Sequence, residues 1–256
     1  MALEMIHTLG IAAAVALVAA LYASVGHGGA SGYLAVMALL SFSPDIMKPG
    51  ALALNLLVAG IGAVQYYRAG HFRFQLLWPF ALSSIPMSYA GARLSVSPKI
   101  YGIVLAAVLV WAGVRLALAP RESAAAPQIR PAPPLGLSLA VGALIGIVSG
   151  MVGVGGGIFL SPIFIFMGWA NARETSAVSA VFIWLNSASG LLGHAHTAVR
   201  WPPQWLSWVV AAAIGGFLGS HWGSRKFSNI TLRRLLAAVL LIAAAKSASL
   251  ALAGRR

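Results

Sequence analysis

The stretch VGHGGASG, Val25 to Gly32, interrupts an otherwise apolar run, and VGVGGGIF, Val152 to Phe159, does so again 127 positions later. A glycine-dense break inside a hydrophobic segment, repeated at a fixed spacing, is a way to build a small-solute site within a bilayer. Glycine tolerates positive φ and close backbone approach, so each cluster lets a helix stop, turn and restart within a few residues. A restarted helix leaves its first N–H groups without partners. In hydrocarbon each such group costs several kcal/mol, so these donors must face protein, water or a ligand.

Composition places the whole chain in lipid. Its 256 residues are 60% hydrophobic and 8% charged, where soluble domains carry about 25% charged residues. The mean hydropathy is +0.88. The net charge of +13 comes from 17 Lys and Arg against Glu4, Asp45, Glu122 and Glu174. Most basic residues fall between apolar runs, as the positive-inside rule expects, so nucleic acid is not implied. A positive field also draws in anions. With no cysteine, disulfides and thiolate-bound metals are excluded. The first 25 residues have Glu4 and His7 where a cleavable signal has Lys or Arg, and read as a retained first helix.

Apolar runs cover Leu9 to Ser24, a short Ala30 to Phe42, Gly50 to Tyr66, Phe74 to Ala92 and Ile100 to Leu118. They recur at Leu135 to Gly150, a short Gly157 to Trp169, Thr175 to Leu192, Trp205 to Trp222 and Leu232 to Leu252. Between the two sets lies APRESAAAPQIRPAPP, Ala119 to Pro134, with five prolines and three charges, which reads as an extended tether. At the offset of 127, Val25, Gly26, Gly28, Gly29, Arg73 and Trp78 fall on Val152, Gly153, Gly155, Gly156, Arg200 and Trp205. The expected fold is therefore an all-α polytopic membrane protein: a repeat in 1–118, a Pro-rich linker in 119–134 and a second repeat in 135–256. Each repeat has about five apolar segments, and an odd number of crossings inverts the second copy. Whether the short segments cross or re-enter stays open. With ten crossings the basic residues divide ten to seven in favour of both ends outside, against nine to eight if the short segments are re-entrant.

The helices restarting near Ala30 and Gly157 present amide donors and a positive dipole end, which suit an oxyanion. Two such ends brought together form one anion cradle, and the alternative is that the glycines serve close helix packing. The candidate binding residues are Gly26, His27, Gly28, Gly29, Ala30 and Ser31 in the first break and Gly153, Gly155, Gly156 and Gly157 in the second. Asn55 and Asn186, in the third segment of each half, either offer amide donors to an anion or tie helices together by a hydrogen bond; Thr175 and Ser176 either join them or cap a helix. His27 and Ser31 face Val154 and Ile158 in the other copy, so the two loops differ chemically. No metal or other cofactor is expected: His194 and His196 lack the acids to complete a ligand set. No mid-span carboxylate offers a proton relay.

The pattern VGVGGGIFLSPIFIFMG with ETSAVSAVFIWLNSASGLLGHA resembles the second-half signature of the TauE/SafE family of sulfite exporters and related permeases. YASVGHGGASGYLAVMALL and MKPGALALNLLVAG resemble its first repeat. The resemblance implies a multi-pass permease of the bacterial inner membrane that moves small sulfur-containing anions such as sulfite, thiosulfate or organosulfonates. An anion channel of the same fold and a carrier of a non-sulfur anion stay open as alternatives. An intramembrane enzyme lacks a nucleophile with its base. The partners expected are the small anionic substrate and the lipid bilayer, with homo-oligomer formation left open.

Overall fold

The computed structural model describes residues 2–118, 133–195, 201–224, 240–242, 244–249 and 251–252. Among these, the helices are α1 (Ala2–Ala23), α2 (Ala30–Leu39), α3 (Pro44–Arg68), α4 (Phe74–Arg93), α5 (Pro98–Ala117), α6 (Leu135–Val152), α7 (Gly157–Phe166), α8 (Ala172–Gly193) and α9 (Trp205–Gly223). Residues 240–242 and 244–249 are also helical, and no strand occurs among the described residues. The apolar runs match these helices closely. Residues 119–132 of the linker, His196, Arg200 and residues 232–239 of the last run lie outside the described residues.

Of the boundaries that differ from expectation, two are set by capping chemistry. Helix α3 begins at Pro44, with proline in its first turn and Asp45 beside it, where apolarity alone starts the run at Gly50. Proline's missing N–H costs nothing there, and an acid suits the positive helix end. Helix α8 begins at Ala172, capped by Asn171 in a capping box with Glu174, so Thr175 and Ser176 sit inside the helix and cap nothing. Helices α3, α5, α6 and α8 are long and apolar enough to cross a membrane unaided. Helix α4 matches them in length, its apolar run diluted by Trp78, Pro79, Ser83, Ser84 and Pro86. Large apolar side chains such as Leu82, Leu144, Leu206 and Ile214 point outward, as lipid-facing helices require.

Because lipid tails are as apolar as leucine, helices in a bilayer associate through close packing of small residues. Gly142, Gly146 and Gly150 of α6 lie against the backbone of Phe80, Ser84 and Ser88 of α4. Gly215, Gly219 and Gly223 of α9 lie in the same way against Ala16 and Ala20 of α1 and Ser24 just after it. Numbers rise together in both series, so α6 runs parallel to α4 and α9 parallel to α1.

Helices α3 and α8 cross the centre antiparallel. Asn55 meets Ser187 midway along them, while Arg73, just beyond α3, pairs with Glu174 at the start of α8 across 3.4 Å. One face of the molecule thus carries Arg68, Arg73 and Glu174; the other carries Lys48, near the start of α3, and Arg93, at the end of α4. Each ten-residue short helix rises only about 15 Å, half the hydrocarbon core. Helix α2 runs from the depth of Asn55 to the Lys48 face, where α3 starts. Helix α7 runs from the same depth to the opposite face, where α8 starts. An irregular loop and a half-length helix together complete each return crossing.

Candidate functional site

Both breaks are shaped by left-handed glycines. Gly26 and Gly29 have φ of 74° and 96°, and Gly153, Gly155 and Gly156 have 90°, 77° and 81°. Gly29 and Gly156 are the N-cap residues of α2 and α7. Space is as restrictive as conformation. A Cβ at Gly26 would strike the backbone of Ser176 on α8, and one at Gly153 would come within 3.0 Å of the backbone of Lys48 on α3. Each break thus docks on the third helix of the opposite half.

Asn55 joins the two breaks. Its Oδ1 accepts from the Ala30 amide at 3.2 Å; its Nδ2 donates to the Val154 carbonyl at 3.3 Å and to Ser187 Oγ at 2.9 Å. The side chain is buried at 1% exposure. Gly28 and Gly155 flank it so tightly that a Cβ at either would collide with its carboxamide. The glycines therefore make room for this amide as well as for the turns.

A second set of polar contacts runs beside the first. His27 places Nε2 at 3.2 Å from the Gly157 carbonyl and 3.1 Å from Ser161 Oγ, with Nδ1 at 3.0 Å from the Val25 carbonyl. Ser161 continues to Ser179 at 2.8 Å. Ser176 donates to the Val25 carbonyl at 2.9 Å, and Ser31 pairs with the Tyr22 hydroxyl at 2.7 Å.

What the helix ends leave unpaired is the chemical core of the site. Among the described residues, the amides of Gly28, Gly29, Ser31 and Gly32, and of Gly155, Gly156, Gly157 and Ile158, donate no hydrogen bond. All but Ile158 are buried residues. Two dipole ends of like sign meet at mid-depth with no acidic side chain between them among the described residues, a setting that favours an anion.

The structure thus brings Gly26, His27, Gly28, Gly29, Ala30, Ser31, Asn55, Gly153, Gly155, Gly156, Gly157 and Ser176 together. Thr175 is buried in the first turn of α8, its hydroxyl without a partner among the described residues. Asn186 stands apart and is not the counterpart of Asn55. Its Oδ1 accepts from Ser84 of α4 at 2.5 Å and its Nδ2 donates to the Phe182 carbonyl, an interhelical tie away from the breaks. Ser161, Ser179, Ser187 and Tyr22 escape the sequence reading. On α8 the signal was present, since 176, 179, 183 and 187 fall on one helical face. Among the described residues, no three His, Asp or Glu side chains cluster as metal ligands would.

An all-helical, multi-pass membrane protein with half-length helices meeting at mid-depth has an architecture found in secondary transporters. The family model of the sulfite exporter TauE/SafE matches residues 11–247, and the chain belongs to that family. It is 40% identical to a probable membrane transporter protein, y4hK, of Sinorhizobium fredii, over 93% of this chain and 97% of that one. Probable membrane transporter proteins from two strains of Xylella fastidiosa, Temecula1 and 9a5c, are each 28% identical over 34% of both chains. No solved structure matches. The protein is a membrane transporter placed, with its family, in the bacterial plasma membrane.

Proposed function

We propose that this chain is a secondary transporter for a small sulfur-containing oxyanion such as sulfite, thiosulfate or an organosulfonate, held between the two glycine breaks. The observation that carries this reading is the pair of opposed helix N-termini, with unpartnered amides, separated by Asn55. Each end is worth up to about 2 kcal/mol to an anion in partly buried geometry. The amides of Ala30, Ser31 and Gly157 serve as donors, with Asn55, His27 and Ser176 positioned around them. Asn55 Oδ1 already holds one of these amides, so an arriving oxyanion replaces a neutral carboxamide oxygen with a charged one. The reading assigns no catalytic step.

Residues 1–118 and 135–256 act as inverted repeats joined by the 119–134 linker. Equivalent packing supports this: α1 lies on α9 as α6 lies on α4, α2 on α3 as α7 on α8, and α3 crosses α8 antiparallel. Rocking of one repeat against the other exposes the central site to each face in turn.

The test is counterflow in proteoliposomes with sulfite, thiosulfate, taurine, sulfoacetate, sulfate and acetate. Saturable exchange of a sulfur oxyanion is expected. Fast flux without counterflow indicates an anion channel, and exchange of acetate alone indicates a carrier of non-sulfur anions.

A further inference from the structure

A half-open groove of about 890 Å³ runs along the lipid-facing junction of α3, α8 and α9, away from the breaks. Its wall is apolar, with Leu56, Leu57, Ile61, Trp184 and Phe217, and Gln65 and Arg68 close one end. Gln65 Nε2 donates to the Phe217 carbonyl at 3.5 Å, tying α3 to α9 at that end. Arg68 is exposed in the last turn of α3 and, among the described residues, no carboxylate pairs with it. The groove follows α3 from Ala53 to Arg68. Fifteen helical steps rise about 22 Å, half of the 40–45 Å bilayer with its headgroups. Ala53 sits beside Asn55 at mid-depth, so the groove spans one leaflet, apolar at the midplane and cationic at the surface. These are the dimensions and polarity of a single phospholipid.

We propose that this groove holds one phospholipid with an anionic headgroup, its acyl chain along the apolar wall and its phosphate at Arg68. The arginine gives the site its charge preference, since a guanidinium meets phosphate oxygens through paired donors. The apolar wall gives it retention. The proposal depends on the membrane setting of the helices and not on anion transport, so lipid binding and transport fail separately.

The test reconstitutes the full chain in nanodiscs of equal phosphatidylglycerol and phosphatidylcholine, extracts it in mild detergent and counts retained lipids by native mass spectrometry. The wild type keeps one phosphatidylglycerol, enriched about fivefold over phosphatidylcholine, the worth of one arginine near an anionic headgroup. Arg68→Gln binds both lipids equally, and Val64→Trp, which fills the exposed wall, keeps neither. Equal retention by the wild type, an unchanged preference in Arg68→Gln, lipid held by Val64→Trp, or a lipid-free dimer covering the groove each overturns the proposal.

Discussion

The two breaks share a backbone and differ in their side chains. Positive-φ glycines precede the N-cap in both, and among the described residues the first amides of both helices are unpartnered apart from that of Ala30. Yet the bonds that cross between them are unequal. His27 and Asn55 reach from the first half to the carbonyls of Gly157 and Val154, whereas Val154 and Ile158 stand where His27 and Ser31 would be repeated. The first half supplies His27, Asn55 and the Val25 carbonyl; the second supplies the Gly157 and Val154 carbonyls and the serines Ser161, Ser176, Ser179 and Ser187. Backbone geometry is what the two breaks share, and the side chains that cross between them are what they do not.

Glycine replacement tests the shared part and carries the largest effect. Gly28→Val drives a side chain into Asn55, and Gly156→Val adds a left-handed strain to a clash with Ile145 and Phe182. Together these penalties reach several kcal/mol, so transport falls by more than about 100-fold in each while membrane insertion persists. A large loss in only one variant would mean the breaks do not form a common site.

Next come the asparagines, which separate resemblance in sequence from equivalence in space. Asn55→Ala strands the Ala30 amide and the Val154 carbonyl, each worth about 1–3 kcal/mol when buried. Proteoliposome flux is expected to fall about 30-fold, the cost of roughly 2 kcal/mol. Asn186→Ala removes a tie to Ser84 and lowers the melting temperature, with flux reduced less than about threefold. Equal flux losses would restore a symmetric site.

His27→Gln is milder, because the amide replaces one of the ring's bonds to Gly157 and Ser161. Flux is expected to drop about threefold to tenfold, with KM rising more than kcat falls. The smallest effect lies outside the membrane, in the α3–α4 turn. Burial, then the nearby Arg173, hold His71 below the ordinary histidine range, with Glu174 opposing them. The folded protein therefore resists protonation there. Below about pH 6.5 the unfolded chain takes up the proton first and stability declines, while above that range the residue contributes nothing to pH dependence. His71→Gln is expected to flatten the acid side of a melting-temperature profile in detergent; an unaltered slope contradicts this.

The described helices and the position of each break were legible because lipid imposes a simple code, with long apolar runs for spans and glycine clusters for interruptions. What hydropathy does not encode is partnership. Gly153 against Lys48 and Gly26 against Ser176 arise from docking across the halves, and no local window contains both members. Asn186 stayed open between an anion donor and an interhelical tie for the same reason. It lies near the repeat offset from Asn55, yet its side chain faces α4, where Ser84 awaits it. Ser161 gave no such signal, because serine is tolerated in membrane helices through bonds to its own backbone, whereas Ser179 and Ser187 share one face of α8 with Ser176.

If two helix ends form one anion site around Asn55, a negative charge at that position must abolish binding. Asn55→Asp places a fixed carboxylate at that point, and titration of sulfite into detergent-purified protein by calorimetry reads the consequence. One anion per wild-type chain, and none bound by Asn55→Asp at neutral pH, is the predicted result; two anions per chain, or undiminished binding by Asn55→Asp, contradicts it.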